Sequence, residues 1–276
     1  MKTLYVSDLD GTLLQPDSRL SARSVEMLNT AIAQGINLTV ATARTPATVH
    51  PILSDVNLRL PAIVMTGAAM WSRQTHEYSR TRHIAEKAAR QLVDVYRDTQ
   101  TPTFIYTLDD NMIDIYFLGE KMNDIQQKFI EERINNPFKR LHTDPHTGIE
   151  NIDFSKVILL YTMLDDCRAS AVYRQICRLE DIRPQYYHDI FGPEVGILEA
   201  FSSEATKAKA VLGMAEKIGA DRIVCFGDNI NDLPMMQVAD LAVAVENAIP
   251  EVKEKADIVI GPNTDDSVAG FILDHR

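Results

Sequence analysis

Three cysteines and one tryptophan are all that 276 residues supply of those two types. Cys167, Cys177 and Cys225 are widely spaced and form no CxxC pair, which argues against a structural zinc site. They read as buried free thiols in a reducing compartment, and the chain as cytoplasmic. The lone tryptophan, Trp71, reads as packing rather than a stacking platform. Runs of basic residues are also missing: 28 Lys and Arg stand against 39 Asp and Glu, a formal charge of −11 with pI near 5.1. A surface of that sign argues against nucleic acid or anionic membrane as the main partner. Long apolar runs are absent. The N-terminal one is cut by Asp8 and is too short for a signal peptide, and no stretch approaches membrane-spanning length. There is no internal repeat or low-complexity segment, and nothing in the pattern specifies an oligomer.

What is present is enough apolar material, 45% of the chain, for one large core or a core with a second, smaller domain. The first part alternates strand and helix. Residues 3–7 read as a strand, 21–34 as a helix with Ser21 as N-cap and Gly35 as stop, 36–41 as a strand, about 46–55 as a helix and 62–65 as a third strand. The rhythm resumes with a helix over 206–218 ended by Gly219, strands at 222–226, 241–245 and 258–260, and a short helix near 248–255. It implies a doubly wound parallel α/β sheet. The middle differs. Residues 84–97, 121–133 and 166–180 look helical, and 103–108, 112–118, 156–163 and 184–190 look like strands, the first two joined by Asp109-Asp110-Asn111. Ile113, Ile115 and Phe117 alternate with Asp114 and Tyr116, as in a sheet with unlike faces. The expected organisation is a discontinuous core, 1–81 and 192–276, with an inserted α+β domain over 82–191, Gly192-Pro193 marking the second linker.

Two acidic loops carry the chemistry. Asp8-Leu9-Asp10-Gly11-Thr12 follows the apolar run Leu4, Tyr5, Val6, and Gly227-Asp228-Asn229-Ile230-Asn231-Asp232 follows Ile223, Val224, Cys225, Phe226. Strand ends are where open α/β sheets bind ligands. If the loops converge, up to four carboxylates share a small volume and require a compensating cation, best a hard, oxygen-liganded one such as Mg²⁺. Asp8 and Asp10, two apart on extended chain, point to one side. One carboxylate can attack phosphorus while the other moves a proton. Gly11 and Thr12 suit a tight turn with N–H groups free to face phosphate. Thr42, ending the second strand, can donate to a phosphoryl oxygen, and Lys207 can offset the carboxylates. An isolated DxD is common on surfaces, a strand-end Thr is more often a satisfied polar residue, and an early helical Lys is more often solvated. The DxDGT and GDxxND loops together are the specific signal.

On those motifs the chain resembles the haloacid dehalogenase superfamily of phosphotransferases, within it the Cof-type phosphatases, over nearly its whole length. The resemblance implies Asp8 as nucleophile and Asp10 as general acid/base. It implies Mg²⁺ held by the Asp8 side chain, the Asp10 main-chain carbonyl and Asp228, with Asp232 supporting. Leu9, Gly11, Thr42, Ala43, Lys207 and Asn231 would surround the phosphate. The insertion has the size and place of the family's α/β cap. Three departures stand out: Ala43 where Gly is usual, Thr66-Gly67-Ala68 where Asn-Gly-Ala is usual, and Ser267 where Gly is usual.

The leading expectation is Mg²⁺-dependent hydrolysis of a small phosphate monoester, with sugar phosphates the first class implied and nucleotides or pyridoxal phosphate open. A phosphosugar mutase would use the same residues. A phospho-acceptor signalling domain would lack the acid at Asp10 and the insertion. His142 and His146 are a poor metal pair because Pro145 interrupts a helical face. Met235 and Met236 read as core filler. Arg44 either touches substrate or pairs with a carboxylate. Tyr116, Lys156 and His188 are candidate substrate-facing residues of the cap.

Overall fold

Apolar on both faces, the strand Thr3–Ser7 can be satisfied only inside a covered sheet, and that is where the chain puts it. In the computed structural model, which describes residues 1–133, 135–142, 151–188 and 194–275, five parallel strands lie in the order Ile258–Ile260, Leu241–Val245, Arg222–Gly227, Thr3–Ser7, Asn37–Val40. The chain leaves Thr3–Ser7 toward Asn37–Val40 on one side and returns on the other at Arg222–Gly227, so the crevice of the sheet opens between these two strand ends. Ala41 bridges Ile63 in parallel, and Ala62–Val64 then runs into a small antiparallel sheet with Ala69–Trp71 and Tyr78–Ser79. Those two additional strands are three and two residues long, too short for any periodicity to announce them.

The core helices start and stop where their caps dictate. Ser21 accepts from the Ser24 N–H to open Ala22–Ala33, and Thr206 accepts from the Lys209 N–H to open Lys207–Ile218, which Gly219 closes at φ +64°. The helix expected over 46–55 is Pro46–Ile52, and that near 248–255 shrinks to Pro250–Lys253. A C-terminal helix, Ser267–Asp274, was not expected from the pattern; it packs against Ala22–Ala33. Met235 and Met236 are core residues, and Trp71 is fully buried.

The chain divides into two compact units, Met1–Thr81 with Thr206–Arg276, and Arg82–Ala205. The second holds a six-stranded sheet in the order Ile182–His188, Val195–Ser202, Val157–Asp165, Thr103–Asp109, Met112–Leu118, Lys139–His142, antiparallel except for the last pair. Neighbouring strand residues point to opposite faces. Ile105 accordingly joins Leu92, Val93 and Val172 of the helices Glu86–Asp98 and Asp166–Ile176, whereas Phe104 packs on Phe129 of Asp124–Glu131. The second unit ends after Ala205 rather than after 191, because Val195–Ser202 pairs on both sides with strands of that unit. Gly192, Pro193, Pro145 and His146 lie outside the described residues.

Two expectations need correction here. Cys167 and Cys177 are exposed, and only Cys225 is buried; all three are free thiols. Asp114, expected on the polar face of its strand, is buried and held by Arg140 and His142. Among the described residues no helix is long and apolar enough to cross a membrane.

Candidate active site

Register alone brings the two acidic loops together. Ser7 pairs with Phe226, and the next residue donates its N–H to the Phe226 carbonyl at 3.0 Å, so Asp8 lies beside Gly227 at the mouth of the crevice. Gly11 then turns the chain at φ +76°, and a Cβ there would collide with the Asp228 carboxylate. Thr12 is buried and donates its hydroxyl to Asp228 Oδ1 at 2.8 Å. From sequence Thr12 was expected to serve the tight turn and to offer an N–H to phosphate; its hold on Asp228 depends on a contact between distant loops.

Lys207 enters from the first turn of its helix and is 1% exposed. Its Nζ donates to Asp8 Oδ1 at 2.6 Å and to Asp232 Oδ1 at 2.7 Å. The other oxygen of Asp232 accepts the main-chain N–H groups of Asp228 and Asn229, at 3.0 and 3.1 Å, which ties the second loop into place. Carboxylate oxygens of Asp8, Asp228 and Asp232 lie within 4.8 Å of one another.

One ammonium thus serves two carboxylates, with a third beside them. Burial pushes the Asp8 carboxyl well up, and the Asp232 charge adds to that; Lys207 pulls the other way without prevailing, and Asp228 contributes a further rise. Asp228 is pushed up to about 6 by burial and by Asp232, against the lowering effect of the Thr12 hydrogen bond. Burial alone would lower Lys207, but the charges of Asp232 and Asp8 outweigh it and hold the proton on. Three carboxylates and one ammonium leave a formal charge of −2 in a largely buried cluster of oxygen donors. That donor set and that deficit fit a hard divalent cation.

Asp10 stands apart from this cluster. It is exposed and held by the Arg44 fork, Nε to Oδ2 at 2.7 Å and Nη2 to Oδ1 at 2.5 Å. The Arg44 N–H donates to the hydroxyl of buried Thr42 at 3.1 Å, so one residue links Asp10 to the end of the second strand. Of the two options open for Arg44 in the sequence, pairing with a carboxylate is observed. Leu9 is buried, whereas Ala43 and Asn231 are exposed, Asn231 within the turn Ile230–Asp232. Asn247 was not singled out for the site. Its Nδ2 donates to the Gly11 carbonyl at 2.7 Å and its Oδ1 accepts from the Asn263 N–H at 2.9 Å.

In the second unit, the three residues named from sequence as substrate-facing have partners of their own. Tyr116 stacks on His142, Lys156 donates to Asp109, and His188 bonds Asp166.

A family model described as haloacid dehalogenase-like hydrolase matches residues 5–272. The chain is 28% identical to the pyridoxal phosphate phosphatase YbhA of Escherichia coli (strain K12), covering 97% of this chain and 96% of that one. It is 26% identical to the 5-amino-6-(5-phospho-D-ribitylamino)uracil phosphatase YwtE of Bacillus subtilis (strain 168), covering 99% and 97%. Among solved structures, a haloacid dehalogenase-like hydrolase from Bacteroides thetaiotaomicron superposes with a TM-score of 0.78 at 24% identity, covering 100% of both chains. The HAD subclass IIB sugar phosphatase BT4131 gives 0.73 at 21% identity, covering 100% of this chain and 99% of that one. These two likenesses bear on the fold.

Proposed function

The chain belongs to the haloacid dehalogenase-like hydrolases and is a phosphoric monoester hydrolase, and from that premise we propose that it hydrolyses small phosphate monoesters with Mg²⁺ through an aspartyl-phosphate on Asp8. The observation that carries the reading is buried Lys207 shared between Asp8 and Asp232, with Asp228 alongside.

Asp8 attacks phosphorus, and the bond from phosphorus to the leaving oxygen breaks. Asp10, as general acid, gives a proton to that oxygen. Water then attacks the aspartyl-phosphate while Asp10 takes up a proton, and inorganic phosphate departs with Asp8 regenerated. Lys207, Thr42, Asn231 and the main-chain N–H groups of Leu9, Gly11 and Ala43 hold the phosphoryl oxygens, where charge accumulates. Asp8, the Asp10 carbonyl and Asp228 would hold Mg²⁺, with Asp232 orienting Lys207 and the second loop. When bound, the ion would supply positive charge against the carboxylates of Asp8 and Asp228.

The substrate class we infer is the phosphate of a small polar alcohol, sugar phosphates first. The relatives named above act on pyridoxal phosphate and on a phosphoribitylamino-uracil. We place the reaction in the cytoplasm, in keeping with three free thiols. A screen of phosphomonoesters with Mg²⁺, scored by released phosphate, tests the reading, with Asp8→Asn as control. A folded Asp8→Asn protein that turns over like the parent contradicts it, and so does a substrate returned as a phosphorylated isomer with no phosphate released.

A further inference from the structure

The turn after Ala62–Val64 is an unfavourable stretch of backbone near the site. Met65, Thr66 and Gly67 are consecutive left-handed residues, at φ +49°, +55° and +93°. Glycine takes that conformation freely; a β-branched residue does so rarely and with strain. The resembling family has Asn where Thr66 stands, and Asn enters the left-handed region far more readily. Thr66 therefore occupies a position its side chain does not favour.

The turn cannot relax, because it is wedged between two elements of the site. The Met65 N–H donates to the Arg44 carbonyl and the Thr66 N–H to the Thr42 carbonyl, each at 3.0 Å. On the other flank, a Cβ on Gly67 would collide with the Thr206 carbonyl, one residue before Lys207. Thr66 thus sits in the connection between the segment of Thr42 and the helix start of Lys207. It is 1% exposed, and its hydroxyl is buried with no hydrogen-bond partner among the described residues. A buried hydroxyl without a partner destabilises the fold, as does the strain beneath it. Two unfavourable features at one residue between two phosphate-binding candidates mark a group whose partner arrives with the ligand.

We propose that the Thr66 hydroxyl is a substrate contact, donating to an oxygen of the bound phosphomonoester. This rests on the phosphatase reading above and adds to it a residue that neither acidic loop contains.

Thr66→Val keeps shape and β-branching and removes only the hydroxyl; Thr66→Ser keeps the hydroxyl. The expected result is a KM about tenfold higher for Thr66→Val, with a melting temperature equal to or above that of the parent, and a KM near the parent value for Thr66→Ser. Inhibition by inorganic phosphate locates the contact: weakened inhibition assigns it to the phosphoryl group, and unchanged inhibition with raised KM assigns it to the leaving group. Thr66→Ala serves as a second hydroxyl-free variant should Thr66→Val not accumulate folded. An unchanged KM in the hydroxyl-free protein overturns the proposal, as does equal damage from Ser and Val. A parent protein that releases no phosphate from any ester overturns the phosphatase reading with it, whereas an active parent with an indifferent Thr66→Val overturns this proposal alone.

Discussion

Asp8 and Asp114 are both buried aspartates, one in each unit, and their surroundings are opposite. Burial raises both. Asp114 then accepts two bonds from the Arg140 fork and one from His142 Nε2, at 2.7–2.8 Å, and ends below the usual carboxylate range. Asp8 shares one ammonium with Asp232, faces two like charges and ends well above it. The pair separates two uses of buried charge. Where donors match acceptors the group is scaffold; where like charges are crowded against too little compensation, the fold holds a geometry that something else must complete.

That contrast can be broken most forcefully at Asp8. Asp8→Asn should cut turnover by at least about a thousandfold. The same variant, free of metal, should melt no lower than the parent, since one of three crowded charges is gone. Lys207→Met reverses the sign on stability. It leaves Asp8 and Asp232 buried without their cation and should cost about 3–5 kcal/mol in urea denaturation, with activity lost as well. Magnesium added to metal-free protein should stabilise it by roughly 2.7 kcal/mol at a hundredfold excess over its Kd, read as a melting shift, and Asp228→Asn should erase most of that shift.

The smallest effect belongs to the matched site. Asp114→Asn should cost about 1 kcal/mol near neutrality, because Arg140 is largely exposed and its charge is screened, with turnover retained. The pH dependence has a defined sign. A carboxyl whose folded pKa is depressed contributes fully above its unfolded pKa, near about 3.9, and loses the contribution as pH falls through the folded value. The stability gap between parent and Asp114→Asn should therefore narrow as pH falls below about 4. A gap that persists in acid would show that Asp114 acts through shape rather than charge.

Legibility in the sequence followed the same division. The parallel core was readable because its strands are continuous apolar runs and its helices are bounded by Ser21 and Gly219. The acidic loops were readable because residue type and spacing carry their chemistry. Partnerships between loops were not. The Thr12 bond to Asp228, the Arg44 fork on Asp10 and the Asn247 bond to Gly11 join residues 34 to 236 positions apart, and no local pattern encodes them. Burial of Asp114 was missed for the same reason, since strand alternation assigns a face while the Arg140 and His142 partners come from another strand. Thr66 was visible only as a departure from a motif; its strain and its unpartnered hydroxyl are properties of the folded backbone.

The central claim is that Asp8, poised among unmatched charges, receives the phosphoryl group. Acid quench of the enzyme during turnover of a phosphomonoester with Mg²⁺, followed by peptide mass spectrometry, tests it most directly. The account predicts a phosphoryl adduct on the peptide carrying Asp8, absent without Mg²⁺ and absent in Asp8→Asn. Full turnover with an adduct on another residue, or undiminished turnover by Asp8→Asn, would contradict it.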